Sequence, residues 1–225
     1  MESVDAVPAS AVVEATMARI RDAAVRRFGS DGFGAGLRVI AADAGVTAGL
    51  VVHHFGSKDG LRQACDRFVL GQIREAKLKS TTSKNTADLL AQLADVEASA
   101  PLALYAVRSL QAGGELALAF TEQMVRDADE YLAAGVEAGV IKPSRDPAAR
   151  ARYLALQSLG SLLLWVTLQP KSAQEDFAGA MRRMSDEVTA PALELFTQGL
   201  FVDRSMLDSY LMYVPDPPDG TAAAH

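Results

Sequence analysis

Between Leu37 and Lys58 the chain reads LRVIAADAGVTAGLVVHHFGSK, and no other stretch restricts the fold so much. Leu37, Ile40, Ala41 and Ala44 stand at i, i+3, i+4 and i+7, one apolar face of a short helix. Gly45 follows at the point where a chain leaving a helix often needs positive φ, which glycine reaches without a Cβ clash. Thr47 is placed to cap a second helix through its hydroxyl. In that helix Val46, Leu50, Val51 and Phe55 are expected inward, and Ala48, Gly49, Val52, His53 and His54 outward. Ala41 and Gly45 are small where the helices must cross. Two short helices joined by a tight glycine turn make a helix-turn-helix, whose first helix crosses a phosphate backbone while the second enters the major groove. An ordinary helical hairpin has the same spacing, so a second observation is needed.

Charge supplies it. The net charge of −6 argues against nucleic acid, but its distribution reverses that. From Thr16 to Lys79 there are 11 Lys/Arg against 6 Asp/Glu, a balance of +5. From Ser80 to His225 there are 11 against 19, a balance of −8, and the first 15 residues add −3. A basic segment ahead of an acidic one suits a DNA-binding head on a body that repels DNA.

The rest of the chain reads as helices. With 225 residues, 49% of them hydrophobic, one or two domains with a sizeable core are expected. Alanine and leucine dominate and β-branched runs are scarce, which predicts an all-α fold. The single cysteine, Cys65, leaves no intramolecular disulfide and fits a reducing cytoplasm. No secretory pattern opens the sequence, and the longest apolar run, Leu159 to Leu168, falls short of the ~20 residues of a membrane span. A cytoplasmic protein without a membrane segment is therefore expected.

A first helix is predicted from Val13 or Thr16 to Phe28, with Ile20, Ala24 and Phe28 inward, Arg26 or Arg27 near phosphate, and residues 1–12 as a mobile arm. Gly36 takes the cap position before Leu37. Ser57 caps a helix over about Lys58–Lys79, whose inward face is Leu61, Ala64, Cys65 and Phe68. Thr86 caps the next, Pro101 starts another, and Gly113-Gly114 breaks it. Glu115 to Gly135 is apolar on two sides, so this helix is central. Asp146 and Pro147 open a helix that ends at Gln169-Pro170. A further helix starts near Ser172, with Gln174 and Glu175 in its first turn, is bent or broken near Pro191, and resumes over Ala192–Phe201. A short last helix over Arg204–Tyr213 precedes a disordered tail, 214–225.

GVTAGLVVHHFGSKDGL resembles the signature of the TetR (tetracycline-repressor) family, in which the recognition helix leads through an aromatic into Ser-Lys-(Asp/Glu) and a long helix. The lead-in RIRDAAVRRFGSDGFGAGLRVIAADAG is similar to the family's first two helices. The resemblance covers Thr16 to Leu70. HHFGSKDGLRQACD, GGEL, KPSRDPAARAR and TQGL further resemble an actinobacterial, drug-responsive subgroup. The resemblance implies a helix-turn-helix head over 1–57 and a helical ligand-binding and dimerisation domain over 58–225. It implies a homodimer that represses from a palindromic double-stranded operator and is released by a small hydrophobic ligand. It points to a multidrug efflux transporter as the controlled gene and needs no cofactor. It makes Arg38 a base or phosphate contact, Thr47 a phosphate contact, and Ala48, Gly49 and His53 neighbours of base edges. His54 and Lys58 then hold phosphates. One departure is Val52, where the family often has a tyrosine whose hydroxyl reaches phosphate.

Two further sets of residues follow from composition. Phe68, Tyr105, Phe120, Met124, Tyr131 and Trp165, with Arg108, Gln111 and Gln157 interleaved, exceed what simple packing requires and predict an apolar ligand cavity with polar anchors. Arg108 suits an anionic ligand or a salt bridge to Glu115 or Glu122. Leu156, Leu163, Phe177, Met181 and Met184 are more apolar surface than a small body buries alone, and predict the dimer interface on helices at about 147–168 and 173–200. An enzyme is the main competing class, and a helical protein-binding adaptor the next. No nucleophile–base pair, phosphate-cradling loop or metal-ligand cluster is visible, so neither catalytic residues nor a metal is expected.

Overall fold

Every described element is a helix. The structure, a computed structural model, describes residues 9–170 and 176–217. In chain order the helices are α1 (Ala9–Asp31), α2 (Leu37–Asp43), α3 (Ala48–Phe55), α4 (Lys58–Thr82), α5 (Thr86–Ala94), α6 (Ala100–Gln111), α7 (Gly114–Glu137), α8 (Pro147–Leu168), α9 (Phe177–Gln198) and α10 (Ser205–Leu211). Residues 1–8 of the expected arm, the helix start at Ser172, Gln174 and Glu175, and the tail from residue 218 lie outside the described residues.

Local chemistry accounts for most boundaries. Ser57 Oγ accepts from the Gly60 amide at 3.0 Å, and Asp146 Oδ1 accepts from the Ala149 amide at 2.9 Å ahead of Pro147. Three expectations are corrected. Asn85 rather than Thr86 caps α5, because its Oδ1 reaches the Ala87 amide at 3.0 Å. α1 is already helical at the first described residue, Ala9, ahead of Val13, since ASAVVEA is a helix-competent run. Of a bend or a break at Pro191, the break is excluded, because α9 runs through it without interruption and ends at Gln198 rather than Phe201. The carbonyl that Pro191 leaves unpaired lies on an exposed stretch where water can serve it.

One apolar core joins α1 to α4 with α6 and α7. Ile20, Ala24 and Phe28 of α1 are fully buried beside Ile40, Val51, Leu61, Cys65, Val69 and Tyr105, with Phe120 at the edge. The first turns of α4 therefore belong to the same core as the first three helices. Tyr105 clamps this junction: its hydroxyl donates to Asp66 Oδ1 at 2.6 Å, and its ring meets Phe33 edge-on at 5.5 Å. Burial, and then the Asp66 bond, pushes its phenol well above the usual range. A second core lies between α7 and α8, on Ala128, Leu132, Ala151 and Ala155. At Gly135 a Cβ would stand 2.9 Å from the Thr81 carbonyl oxygen, so glycine sets how closely α7 approaches α4.

Cys65 tests the core chemically. Its thiol is fully buried, and burial first, then the nearby Asp66, pushes it up to about 12. A thiol held protonated reacts poorly. In mildly alkaline buffer Cys65 is expected to resist iodoacetamide in the native protein and to be alkylated once guanidinium unfolds it, read by mass spectrometry. Alkylation at the same rate in both states would contradict this packing.

Candidate nucleic-acid interface

The helix-turn-helix is built from short-range bonds. Gly36, in extended backbone, offers its carbonyl to the Val39 and Ile40 amides at 3.1 and 3.3 Å and so starts α2 without a side-chain cap. At the other end Gly45 has φ +66, and the Val46 amide turns back to the Ala41 carbonyl at 2.9 Å. Thr47 Oγ1 accepts from the Leu50 amide at 3.3 Å and opens α3. Of the two arginines expected near phosphate, Arg26 is exposed, and Arg27 is engaged within the chain: its guanidinium donates to both oxygens of Asp43 and to Asp31 at 3.2 Å, pinning α1 to the end of α2. That hydrogen-bonded partner holds the Asp43 carboxyl below the usual range.

α3 presents one face to solvent. Val51 is fully buried, and Gly49, Val52 and His53 are exposed. His54 is half-buried, its ring edge-on to His53 at 5.2 Å. Ala48 is half-buried too and packs on the core rather than standing fully outward. A Cβ at Gly49 would meet only Thr47 Oγ1, at 3.9 Å, so nothing in the chain itself requires glycine there. Arg38, near the start of α2, is exposed, and Lys58 begins α4 half-buried. Only Gly56 (φ +75) and Ser57 separate α3 from α4, so a tilt of α4 carries α3 with it.

The profile of bacterial regulatory proteins of the tetR family matches residues 20–65, and that of the tetracyclin repressor-like C-terminal domain matches residues 97–202. The chain is 50% identical over 194 residues to the HTH-type transcriptional regulatory protein RaaS of Mycobacterium tuberculosis, spanning 86% of this chain and 91% of that protein. The chain belongs to the TetR family. It is a DNA-binding transcriptional regulator, and the enzyme reading is set aside. Solved TetR-type structures share the fold. FadR of Bacillus subtilis, in complex with stearoyl-CoA, matches at TM-score 0.56 and 21% identity over 82% of this chain and 99% of that one. SmeT, the repressor of the Stenotrophomonas maltophilia multidrug efflux pump SmeDEF, matches at TM-score 0.52 and 22% identity over 78% and 91%.

The residues expected to line one ligand cavity are not gathered in one. Tyr105 fills the core between α1 and α4. Phe68 lies under the Arg21 guanidinium, 3.6 Å from its ring centre. Arg108 pairs with neither Glu115 nor Glu122. It donates to the Gly29 and Ser30 carbonyls and to Gln111, while Glu122 takes Arg152 at 2.9 Å. Met124 and Tyr131 border a recess of only about 20 Å³. Gln157 is exposed on α8, and Trp165 donates to Glu187 at 3.4 Å. Of these residues Phe120 alone lines a cleft of about 550 Å³ between α4 and α7. Of its other walls Leu70, Leu116 and Ala119 are apolar, and Arg67, Arg74 and Arg126 stand around them with Asp66, Gln123 and Asp127. Arg67, Leu70, Gly71 and Arg74 follow i, i+3, i+4 and i+7, a signal that also describes a solvated helix face.

Of the residues expected at the dimer interface, Leu156 is exposed, while Leu163, Phe177, Met181 and Met184 are half-buried. The apolar surface left open lies beside them, at Tyr153, Leu164 and Leu168 on α8 and at Leu195 and Phe196 on α9. Among the described residues no helix is long and apolar enough to cross a membrane.

Proposed function

We propose that this chain is a cytoplasmic, homodimeric repressor that binds a palindromic operator through α2, α3 and the start of α4, and that a small amphipathic molecule releases it. Residues 1–57 are the DNA-binding part and 58–225 the sensing and dimerising part. The observation that carries this reading is the exposed face of α3, Gly49, Val52 and His53, held on a helix pair whose other side is the core. Major-groove entry needs such a face, with small residues permitting close approach. Thr47, Ala48, His54, Lys58 and Arg38 surround it, and Arg38 can fork to guanine O6 and N7.

The open stripe Tyr153, Leu156, Leu164 and Leu168 supports pairing of α8 and α9 with their twins, which would set the spacing of the two recognition helices. The α4/α7 cleft supports ligand control. Its apolar floor, ringed by three arginines, Gln123 and the carboxylates of Asp66 and Asp127, suits a bulky hydrophobic molecule carrying polar groups, and α4 links it directly to α3. A ligand that prefers the splayed dimer lowers DNA affinity by its preference ratio. The subgroup resemblance favours a multidrug efflux gene as the target.

Duplex selection from a random library tests the reading. An inverted repeat is expected. On that site Arg38→Ala and His53→Ala should each cost about 1–3 kcal/mol and relax specificity at the touched bases. Lys58→Ala should weaken all duplexes alike and flatten the salt dependence. Equal affinity for every duplex at every salt concentration would remove the specific-regulator reading.

A further inference from the structure

A second recess, of about 280 Å³, lies where the end of α1 meets α6, α8 and α9. It is apart from the α4/α7 cleft and shares no lining residue with it. Leu104, Val107, Val166 and Phe177 make it apolar, and Arg108 is the one formally charged residue among its described walls.

What Arg108 does there is specific. Its Nε donates to the Gly29 carbonyl at 2.9 Å, and Nη2 donates to the Ser30 carbonyl at 3.2 Å. Nη1 donates to Gln111 Oε1 at 2.9 Å. Three of the five guanidinium N–H groups are thus used, and each Nη keeps one. Gly29 and Ser30 stand in the last turn of α1, where a helix leaves carbonyls unpaired and carries partial negative charge. α6 is pressed close at this point, since a Cβ at Gly29 would touch Leu104 at 3.4 Å. One side chain of the body therefore holds the end of the first head helix, and the same side chain forms the polar end of a recess. A neutral carbonyl offers a guanidinium only its dipole, whereas a carboxylate offers a full opposite charge and a two-oxygen edge that matches the guanidinium fork.

We propose that this recess binds a small organic anion, a carboxylate on an apolar tail, which draws Arg108 off the end of α1 and loosens the head on the body. The inference rests on the regulator reading, because only there does a loosened head have a consequence. The tail would lie against Val166 and Phe177, and the recess has room for about nine waters' volume, enough for a molecule of roughly a dozen heavy atoms. Binding that favours the state with Arg108 detached must, by linkage, be weakened when DNA fixes both heads.

Trp165, the only tryptophan, stands next to the lining residue Val166 on α8 and supplies the fluorescence signal. The probes are 4-phenylbutyrate and its neutral amide, 4-phenylbutanamide, at fixed ionic strength and near-neutral pH, with the duplex recovered by selection. The carboxylate is expected to change Trp165 fluorescence saturably and to weaken duplex binding about tenfold, with the amide at least about tenfold less potent. In Arg108→Gln the preference for carboxylate over amide should vanish. Thr167→Phe, which fills the recess and leaves Arg108 in place, should remove both responses, each read as the ratio with and without probe. Equal potency of the two probes, a preference that survives Arg108→Gln, or a full response in Thr167→Phe would each overturn the proposal. If the chain selects no duplex, the regulator reading fails, and the fluorescence titration still decides whether the anion site exists.

Discussion

Leu164→Glu is expected to give folded monomers that no longer hold the operator. Leu164 is 60% exposed on α8 and belongs to the open stripe with Tyr153, Leu156 and Leu168, so a carboxylate there costs the single subunit almost nothing. Across a two-fold axis each substitution counts twice and places two like charges in an apolar contact. A dimer spans two half-sites, and a monomer keeps one. Operator affinity should fall by at least about a hundredfold, since specific sites are held about 10³ to 10⁷ times more tightly than random DNA. Light scattering gives the mass, and circular dichroism shows that the helices remain. A variant that stays dimeric at micromolar concentration, or that binds operator as before, would move the interface elsewhere.

The other large effect is expected at Phe28. Its ring is fully buried, packs against Phe33 at 5.4 Å between centres, and shares one core with Ile20, Ile40 and Val51. Phe28→Ala removes a whole ring from a site closed on every side, which typically costs about 3–5 kcal/mol. That is a large share of an ordinary domain's stability. The melting temperature should drop by about 10 °C or more, and DNA binding should be lost with it, because the same core orients α2 and α3. Phe28→Leu should cost clearly less. A thermal melt within a degree or two of the unaltered protein would mean that the site collapses around the gap.

How much was legible differs from place to place, and the reason is the range of the interactions. In the head the deciding bonds are short. Val46 turns back to Ala41, Thr47 caps toward Leu50, and Ser57 caps toward Gly60. Each lies within five residues, so apolar spacing and turn chemistry carry it. Arg27 is the exception even there. Arg26 or Arg27 reads as a neighbour of phosphate, and only the packing of α1 on α2 gives Arg27 its partner sixteen residues away, Asp43.

In the body the sequence by itself determined that the chain is helical, roughly where each helix begins and ends, and that apolar surface is in excess. It also determined the basic head and acidic body, because charge needs no fold to be counted. Which large side chains fill the core and which line a cleft was decided only by the tertiary structure. Tyr105 and Phe120 look alike as aromatics on helices, yet one is clamped by Asp66 and the other borders the α4/α7 cleft. Arg108 looks like an anchor for a ligand or a partner for a nearby glutamate. Its actual partners are carbonyls 78 and 79 residues earlier in the chain. Periodicity states which face of a helix is apolar. The angle and distance at which two helices pack then decide whether that face meets a neighbour, a cavity or water, and those follow from the summed packing of the whole chain.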